Sequence, residues 1–194
     1  ELEAGYESLF NGKDLTGWGF RPTPERMLKG RERWLSRDPE NAPAWPIVTE
    51  PVSLDGKQVS AGGRYLAKNG RLVVTTPPEG RKIQQLWTQR EFDGNFELKL
   101  EFRATPNADS GVFIRQPQLQ CRDFALAGPY KDLESYKPQQ WNQMTVTVKD
   151  GLAHCSCNGE VIEEALKVPD TGPIGLEGVR GQVEYRRIRI KQLP

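Results

Sequence analysis

Apolar and polar residues alternate strictly in the middle of the chain. In the segment FELKLEFR, residues 96–103, four apolar side chains are separated by four charged ones. A period of two over eight residues is typical of a β-strand with one buried and one solvated face. Residues 144–148 show the same alternation and lead into Asp150-Gly151, a hairpin turn signal. Both segments therefore predict antiparallel strands.

Other short apolar segments recur at spacings near ten residues, with turn residues between them. The predicted strands lie at residues 71–76, 85–88, 111–115, 153–157, 172–176 and 182–191. In the last of these, basic residues alternate with Ile188 and Ile190, which is typical of a solvated strand face. Short strands at this spacing indicate an all-β sandwich of antiparallel sheets.

Residues 21–60 differ from the rest because they are rich in proline and charge. Residues 25–37 predict one short helix whose apolar side carries Met27, Leu28, Trp34 and Leu35. The remainder of the segment predicts an ordered loop, and Trp34 and Trp45 are candidates to anchor it. We interpret 21–60 as an insertion that lies over a single domain spanning residues 1–194.

The amino-acid composition narrows the range of possible functions. The chain has 194 residues, with 27 Lys and Arg against 26 Asp and Glu. This balance argues against a general nucleic-acid binder or a polybasic membrane protein, and no apolar run is long enough to span a bilayer. One His and three Cys argue against most zinc sites and most His-based catalysis. We interpret Cys121, Cys155 and Cys157 as small buried apolar residues.

Seven segments in order resemble the 3-keto-disaccharide hydrolase family of bacteria. They are LFNGKDLTGW at 9–18, FELKLEFR at 96–103, DSGVFIR at 109–115, WN at 141–142, CNG at 157–159, GPIGL at 172–176 and VEYRRIRI at 183–190. The resemblance implies a concanavalin A-like or laminin-G-like jelly roll of two antiparallel sheets. It also implies export to the periplasm or cell surface, in keeping with a chain that starts at Glu1 without Met, and a carbohydrate ligand.

The resemblance also implies a chemistry. Characterised relatives cleave glycosides whose glucose has been oxidised at C3, where the ketone acidifies the C2 proton. A base can then drive elimination of the anomeric leaving group, and the enolate needs a divalent metal or cationic donors. Two family positions differ here, since Gln118 stands where many relatives have Glu, and Val179 where many have His.

The candidate catalytic residues are Arg115 and Glu177. Arg115 ends the SGVFIR motif and would donate hydrogen bonds to a sugar hydroxyl or an enolate; the alternative is a surface or salt-bridged arginine. Glu177, the only carboxylate in its predicted turn, would serve as a base or a metal ligand; the alternative is a surface turn residue.

The candidate substrate-binding residues are Trp18, Gln118, Gln120 and Arg122. The last three would share one face of an extended strand, where amides and a guanidinium suit vicinal hydroxyls, unless that face is simply solvated. Trp18 would stack on a pyranose ring or else pack in the core, whereas core packing is favoured for Trp87.

The first hypothesis for function is an exported carbohydrate-active domain that acts on 3-keto-glycosides. Two alternatives stay open. The same sandwich could hold a glycan without turnover, which the absent Glu and His favour, or it could be a structural domain whose polar face docks a partner protein.

Overall fold

The computed structural model describes residues 1–40, 46–76, 83–124 and 132–194. Within these ranges the chain forms fourteen strands and one α-helix, α1 (Glu25–Arg37). The strands are β1 (Glu7–Ser8), β2 (Trp18–Phe20), β3 (Val52–Ser53), β4 (Tyr65–Lys68), β5 (Arg71–Val74), β6 (Gln84–Thr88), β7 (Phe96–Ala104), β8 (Asp109–Ile114), β9 (Gln118–Arg122), β10 (Asn142–Lys149), β11 (Leu152–Cys157), β12 (Glu160–Lys167), β13 (Ile174–Arg180) and β14 (Val183–Gln192).

The described strands form two antiparallel sheets. The larger sheet has the order β12-β11-β10-β7-β14-β5-β4, and β1 pairs with β14. The smaller sheet has the order β3-β2-β6-β13-β8-β9. Every pairing is antiparallel, as the sequence analysis predicted for a jelly-roll sandwich.

The core lies between the two sheets and is built by alternation along the strands. In β7, Phe96, Leu98, Leu100 and Phe102 are fully buried, whereas the charged residues between them are only partly covered. Leu176 of β13 and Val112 of β8 face them from the smaller sheet. Burial of these side chains is the main favourable contribution to folding.

The three cysteines are free and buried, as predicted. Cys155 and Cys157 share the inner face of β11, and Cys121 lies in β9. Burial raises the pKa of the Cys155 and Cys157 thiols to about 12, so each behaves as a small apolar group.

The insertion contains the predicted helix with the predicted ends, but the helix is loosely attached. None of its residues is buried, and Trp34 is 43% exposed. Trp34 is therefore not an anchor, and Trp45 lies outside the described residues. The insertion also supplies β3, which pairs with β2 and extends the smaller sheet.

The prediction of a solvated basic face on β14 is wrong at Arg189. A bulge at Arg187, where φ is 50°, interrupts the register with β7 between Arg186 and Arg189. The bulge breaks the period of two, so Arg189 is 1% exposed and forms an ion pair with Glu3 at 2.6 Å.

Candidate active site

Polar side chains form a row across the outer face of the smaller sheet. Glu177 in β13 is aligned with Gln85 in β6 on one side and with Gly111 in β8 on the other. Gly111 is aligned in turn with Gln120 in β9. Aligned residues of antiparallel strands share a face, so one carboxylate and two amides project from β6, β13 and β9, and Gly111 of β8 leaves a gap between the last two.

An aromatic row lies beside the polar row. Trp87 in β6 and Phe113 in β8 flank Gly175 in β13, and their ring centroids are 4.9 Å apart. A Cβ at Gly175 would overlap the six-membered ring of Trp87. The glycine therefore lets the indole pack closely against the β13 backbone, where Trp87 is 6% exposed.

A second glycine lets Gln118 reach Glu177. Gln118 is aligned with Phe113, but its side chain lies across Gly111, where a Cβ would overlap it. The Gln118 side chain hydrogen-bonds to Glu177. Gly111 thus explains how residues of β9 and β13 meet across the strand between them.

The side-chain carboxyl group of Glu177 has an unusually high pKa. Burial, and secondarily the charge of Asp109, raises its pKa to about 7 despite the opposing hydrogen bond from Gln118. The Glu177 cavity, of about 310 Å³, is bordered by Gln85, Phe113 and Gln118 on the sheet and by Arg26 and Met27 of α1. A carboxyl that titrates near neutrality in a cavity is suited to moving protons.

A larger cleft adjoins the Glu177 cavity. This cleft, of about 640 Å³, lies between the sheet and the insertion. We call it the proline cleft, because its apolar lining consists largely of Pro22, Pro24, Pro51, Val52, Trp87 and Pro173. Arg26 lines both cavities and is exposed. Among the described residues it has no hydrogen bond or ion pair.

The structure places Gln118, Gln120 and Arg122 on one face, as predicted. Arg122, however, is held by Asp109, with 3.7 Å between Nε and the carboxylate. Arg180 approaches the same carboxylate at 3.8 Å. This ion-paired cluster forms one end of the outer face and adds a second carboxylate near Glu177.

The assignment of Arg115 as a substrate donor requires correction. Its side chain is 5% exposed and donates hydrogen bonds to the carbonyl oxygens of Phe92, Pro169 and Gly94 at 2.6 to 2.7 Å. These bonds tie the segments before β7 and β13 to the end of β8. Arg115 is a structural arginine whose donors are already occupied.

The assignment of Trp18 as a sugar platform is also wrong. Gly19 is aligned with Trp87 on the outer face, so Trp18, its chain neighbour, points inward. Trp18 is fully buried, and its indole nitrogen donates to the Leu9 carbonyl oxygen at 2.8 Å. Trp87 lies on the outer face and lines the proline cleft, but it is largely buried, as favoured from the sequence.

The described residues offer no ready metal site. In residues 1–40, 46–76, 83–124 and 132–194, no group of three or more His, Cys, Asp or Glu side chains is arranged to hold an ion. Near Glu177 the second carboxylate is Asp109, which already faces Arg122 and Arg180. The donor set therefore does not fit a divalent cation.

Sequence reasoning missed Gln85 and Arg26 as parts of the site, and it weighed Trp87 as a stacking platform but favoured core packing. The period of two in the predicted strand 85–88 puts Gln85 and Trp87 on the same face, and that signal was available. Nothing in the sequence indicated that α1 would bring Arg26 over Glu177. That placement depends on the path of the whole insertion.

Two antiparallel sheets with a carboxylate and amides on one outer face define a jelly-roll sandwich with a polar site. The family model described as a 3-keto-alpha-glucoside-1,2-lyase-like domain matches residues 5–191, and the chain belongs to this family. The resemblance found in the sequence is thereby confirmed, and a carbohydrate-related function follows from it.

Solved structures share the fold. A candidate glycosyl hydrolase from Parabacteroides distasonis is 18% identical, with a TM-score of 0.63 over 98% of this chain and 94% of that one. A second from the same organism is 20% identical, with a TM-score of 0.54 over 66% and 90% of the two chains.

No curated protein sequence matches this chain. No α-helix in the described residues is long and apolar enough to cross a membrane.

Proposed function

We propose that the outer face of the smaller sheet cleaves 3-keto-glycosides by elimination, with Glu177 as the base. The observation that carries this proposal is the Glu177 carboxyl, which lines a cavity between Gln85 and Gln118 and has its pKa raised to about 7. Membership of the lyase-like family supports the substrate class.

The proposed reaction begins with removal of the C2 proton. Glu177 takes this proton, which the neighbouring C3 ketone has acidified, and an enolate forms. The electron pair then expels the C1 substituent, giving a C1–C2 double bond conjugated with the ketone. The leaving group departs with a proton, and water adds to C1 in a later step. A base with a pKa close to the working pH is efficient in such a step.

The enolate oxygen needs donors, and the site offers three. Gln85 and Gln118 line the same cavity as the carboxylate and carry amide N–H groups, and Arg26 can supply the positive charge first assigned to Arg115. Donors aimed at developing charge in a partly enclosed cavity contribute more than they would in water. Arg26 is thus the cation of the proposed site.

Glycan binding without turnover is a second candidate function. The specific observation in its favour is Gln118, which occupies the position of a family Glu and cannot act as a base. In this case Glu177 and the amide row would only bind sugar hydroxyls.

The deciding experiment incubates the purified protein with 3-keto-glucosides, with and without divalent metal or chelator. We expect release of the leaving group, with kcat/KM rising through about pH 7 as Glu177 ionises. Glu177→Gln should lower kcat/KM by at least about a hundredfold, whereas the control Glu164→Gln, exposed on β12, should not.

Each other outcome has a defined meaning. Binding of intact glycoside without release identifies the binding module. Full activity in Glu177→Gln would remove Glu177 from the mechanism. Loss of activity with chelator would show that a metal supplies the electrophile.

A further inference from the structure

The proline cleft is unusual because most of its polar side chains already donate to protein acceptors. Arg21 donates to the carbonyl oxygens of Thr88 and Gln89 and to the Glu91 carboxylate, at 2.9 to 3.2 Å. The Thr88 hydroxyl donates to the Arg90 carbonyl oxygen at 2.8 Å. These donors point at the protein rather than into the cleft.

Two further polar side chains of the cleft wall, Gln89 and Arg115, also donate to protein acceptors. The Gln89 amide nitrogen donates to the Trp18 carbonyl oxygen, to Ser53 Oγ and to the Asp55 carboxylate, at 2.8 to 3.0 Å. Arg115 donates to three carbonyl oxygens. Of the described side chains that line the cleft, Arg26 is the one cation without a protein acceptor, and it lies at the boundary with the Glu177 cavity.

We propose that the proline cleft is the leaving-group subsite and takes a flat aromatic group, so that the substrates are aryl glycosides. This inference rests on the proposed function for the sugar end of the substrate. A second sugar would bring hydroxyl groups into a cleft that offers them few donors, and burying them unpaired would cost binding energy. An aromatic ring has no such requirement.

The apolar wall has the right shape for a ring. The six-membered ring of Trp87 packs against Gly175, and the small exposed part of this side chain, 6%, lines the cleft together with Pro22, Pro51 and Pro173. Stacking of an aromatic ring on an indole is favourable beyond the area that it buries. A volume of about 640 Å³ accommodates a ring system of one to three rings.

The distance between the two subsites matches one sugar. Glu177 lies two residues beyond Gly175 along β13, and this step is about 7 Å in a strand. A pyranose placed against Glu177 therefore has its C1 substituent close to the Trp87 ring. Arg26 lies over the junction, where the bond to the leaving group would break.

The first measurement compares binding of unreactive ligands by calorimetry: phenyl glucoside, as both anomers, against trehalose. We expect at least one phenyl anomer to bind about tenfold more tightly than the disaccharide. Val52→Asp, which adds a charge to the cleft wall, should weaken phenyl glucoside binding about tenfold; Val52→Thr should weaken it less. Val161→Asp is the matched control, because Val161 is 47% exposed on β12 and Val52 is 45% exposed on β3.

The second measurement compares kcat/KM for the 4-nitrophenyl 3-keto-glucoside and for 3-keto-trehalose. Intrinsic leaving-group reactivity cancels when each variant is compared with the wild type. Val52→Asp should therefore lower the aryl-to-disaccharide ratio about tenfold, and Val161→Asp should leave it unchanged.

The outcomes separate the two proposals. Cleavage of both substrates with a ratio that Val52→Asp does not change would overturn the aryl subsite and leave the proposed function standing. Selective phenyl glucoside binding that Val52→Asp abolishes, with no cleavage of either keto-glycoside, would support the subsite and refute the proposed function. Equal binding of both ligands, or of neither, would overturn the subsite.

Discussion

At the residue scale, the structure separates Glu177 from Arg115, which the sequence offered together as catalytic candidates. The sequence presents both as polar residues in or near turns, and neither burial nor hydrogen bonding can be inferred from that. The pKa of Glu177 is raised because the strands on both sides of β13 help to bury its carboxyl group. The guanidinium group of Arg115 already donates to three carbonyl oxygens that are distant in sequence, so it is not available to a substrate. Such non-local contacts decide which polar residue is structural.

The raised pKa of Glu177 makes the stability of the fold depend on pH. The folded pKa of about 7 lies above the unfolded value of 4.5. The contribution of Glu177 to the free energy of unfolding is therefore highest below pH 4.5, where this carboxyl is protonated in both states, and it falls as the pH rises through about 7. Glu177→Gln should therefore raise the free energy of unfolding by up to about 3 kcal/mol above pH 8, and much less near pH 4.

Urea titrations of both forms across that pH range provide the check. Glu164→Gln should follow the wild type at every pH. A gain for Glu177→Gln that is independent of pH would show that the carboxyl is not shifted in the fold.

Arg115→Ala should lower the free energy of unfolding by about 2–4 kcal/mol, because three carbonyl oxygens lose their buried donor. Arg26→Ala, at an exposed position, should change it by less than about 0.5 kcal/mol. Urea denaturation measures both. An Arg115→Ala protein of unchanged stability but without activity would restore Arg115 as a catalytic residue.

At the scale of elements, periodic segments could be predicted and short ones could not. The strands β7 and β10 and the helix α1 follow from their patterns because each buries or exposes a regular face. The two-residue strands β1 and β3 carry too few positions to show a period, and the bulge at Arg187 interrupts one. That Gln118, Gln120 and Arg122 share one face could be predicted from the period of two. That this face lies close to Glu177 depends on the order of the strands in the sheet, which the sequence pattern does not give.

The helix α1 should open far more readily than the sheets. It lacks a side-chain N-cap and has no buried residue, so little apolar contact opposes its unfolding. In native-state hydrogen exchange we expect opening free energies below about 2 kcal/mol for α1, and values near the global free energy for β7 and β10. Equal protection of α1 and β7 would show that the insertion is packed as firmly as the core.

At the scale of the whole molecule, the cysteines report on both sheets. Cys121 belongs to the smaller sheet, and Cys155 and Cys157 belong to the larger one. We propose that the two sheets share one core and unfold together as a single domain. All three thiols should then resist alkylation in the native protein and become labelled within one urea transition.

Peptide mass spectrometry after brief alkylation at each urea concentration provides the measurement. The free energy of unfolding from circular dichroism gives the reference transition. Labelling of Cys121 at a lower urea concentration than Cys155 and Cys157 would contradict the single cooperative unit.

The ion pair between Glu3 and Arg189, together with the pairing of β1 and β14, has a practical consequence for protein engineering. The first and last segments of the sequence are neighbours in one sheet, so a short glycine-rich linker can join them. New ends can then be opened at the Asp150-Gly151 turn, far along the chain from the Glu177 row. A circularly permuted protein of this kind should keep its active face intact, and it would allow a reporter domain to be inserted beside β10 without lengthening either original end.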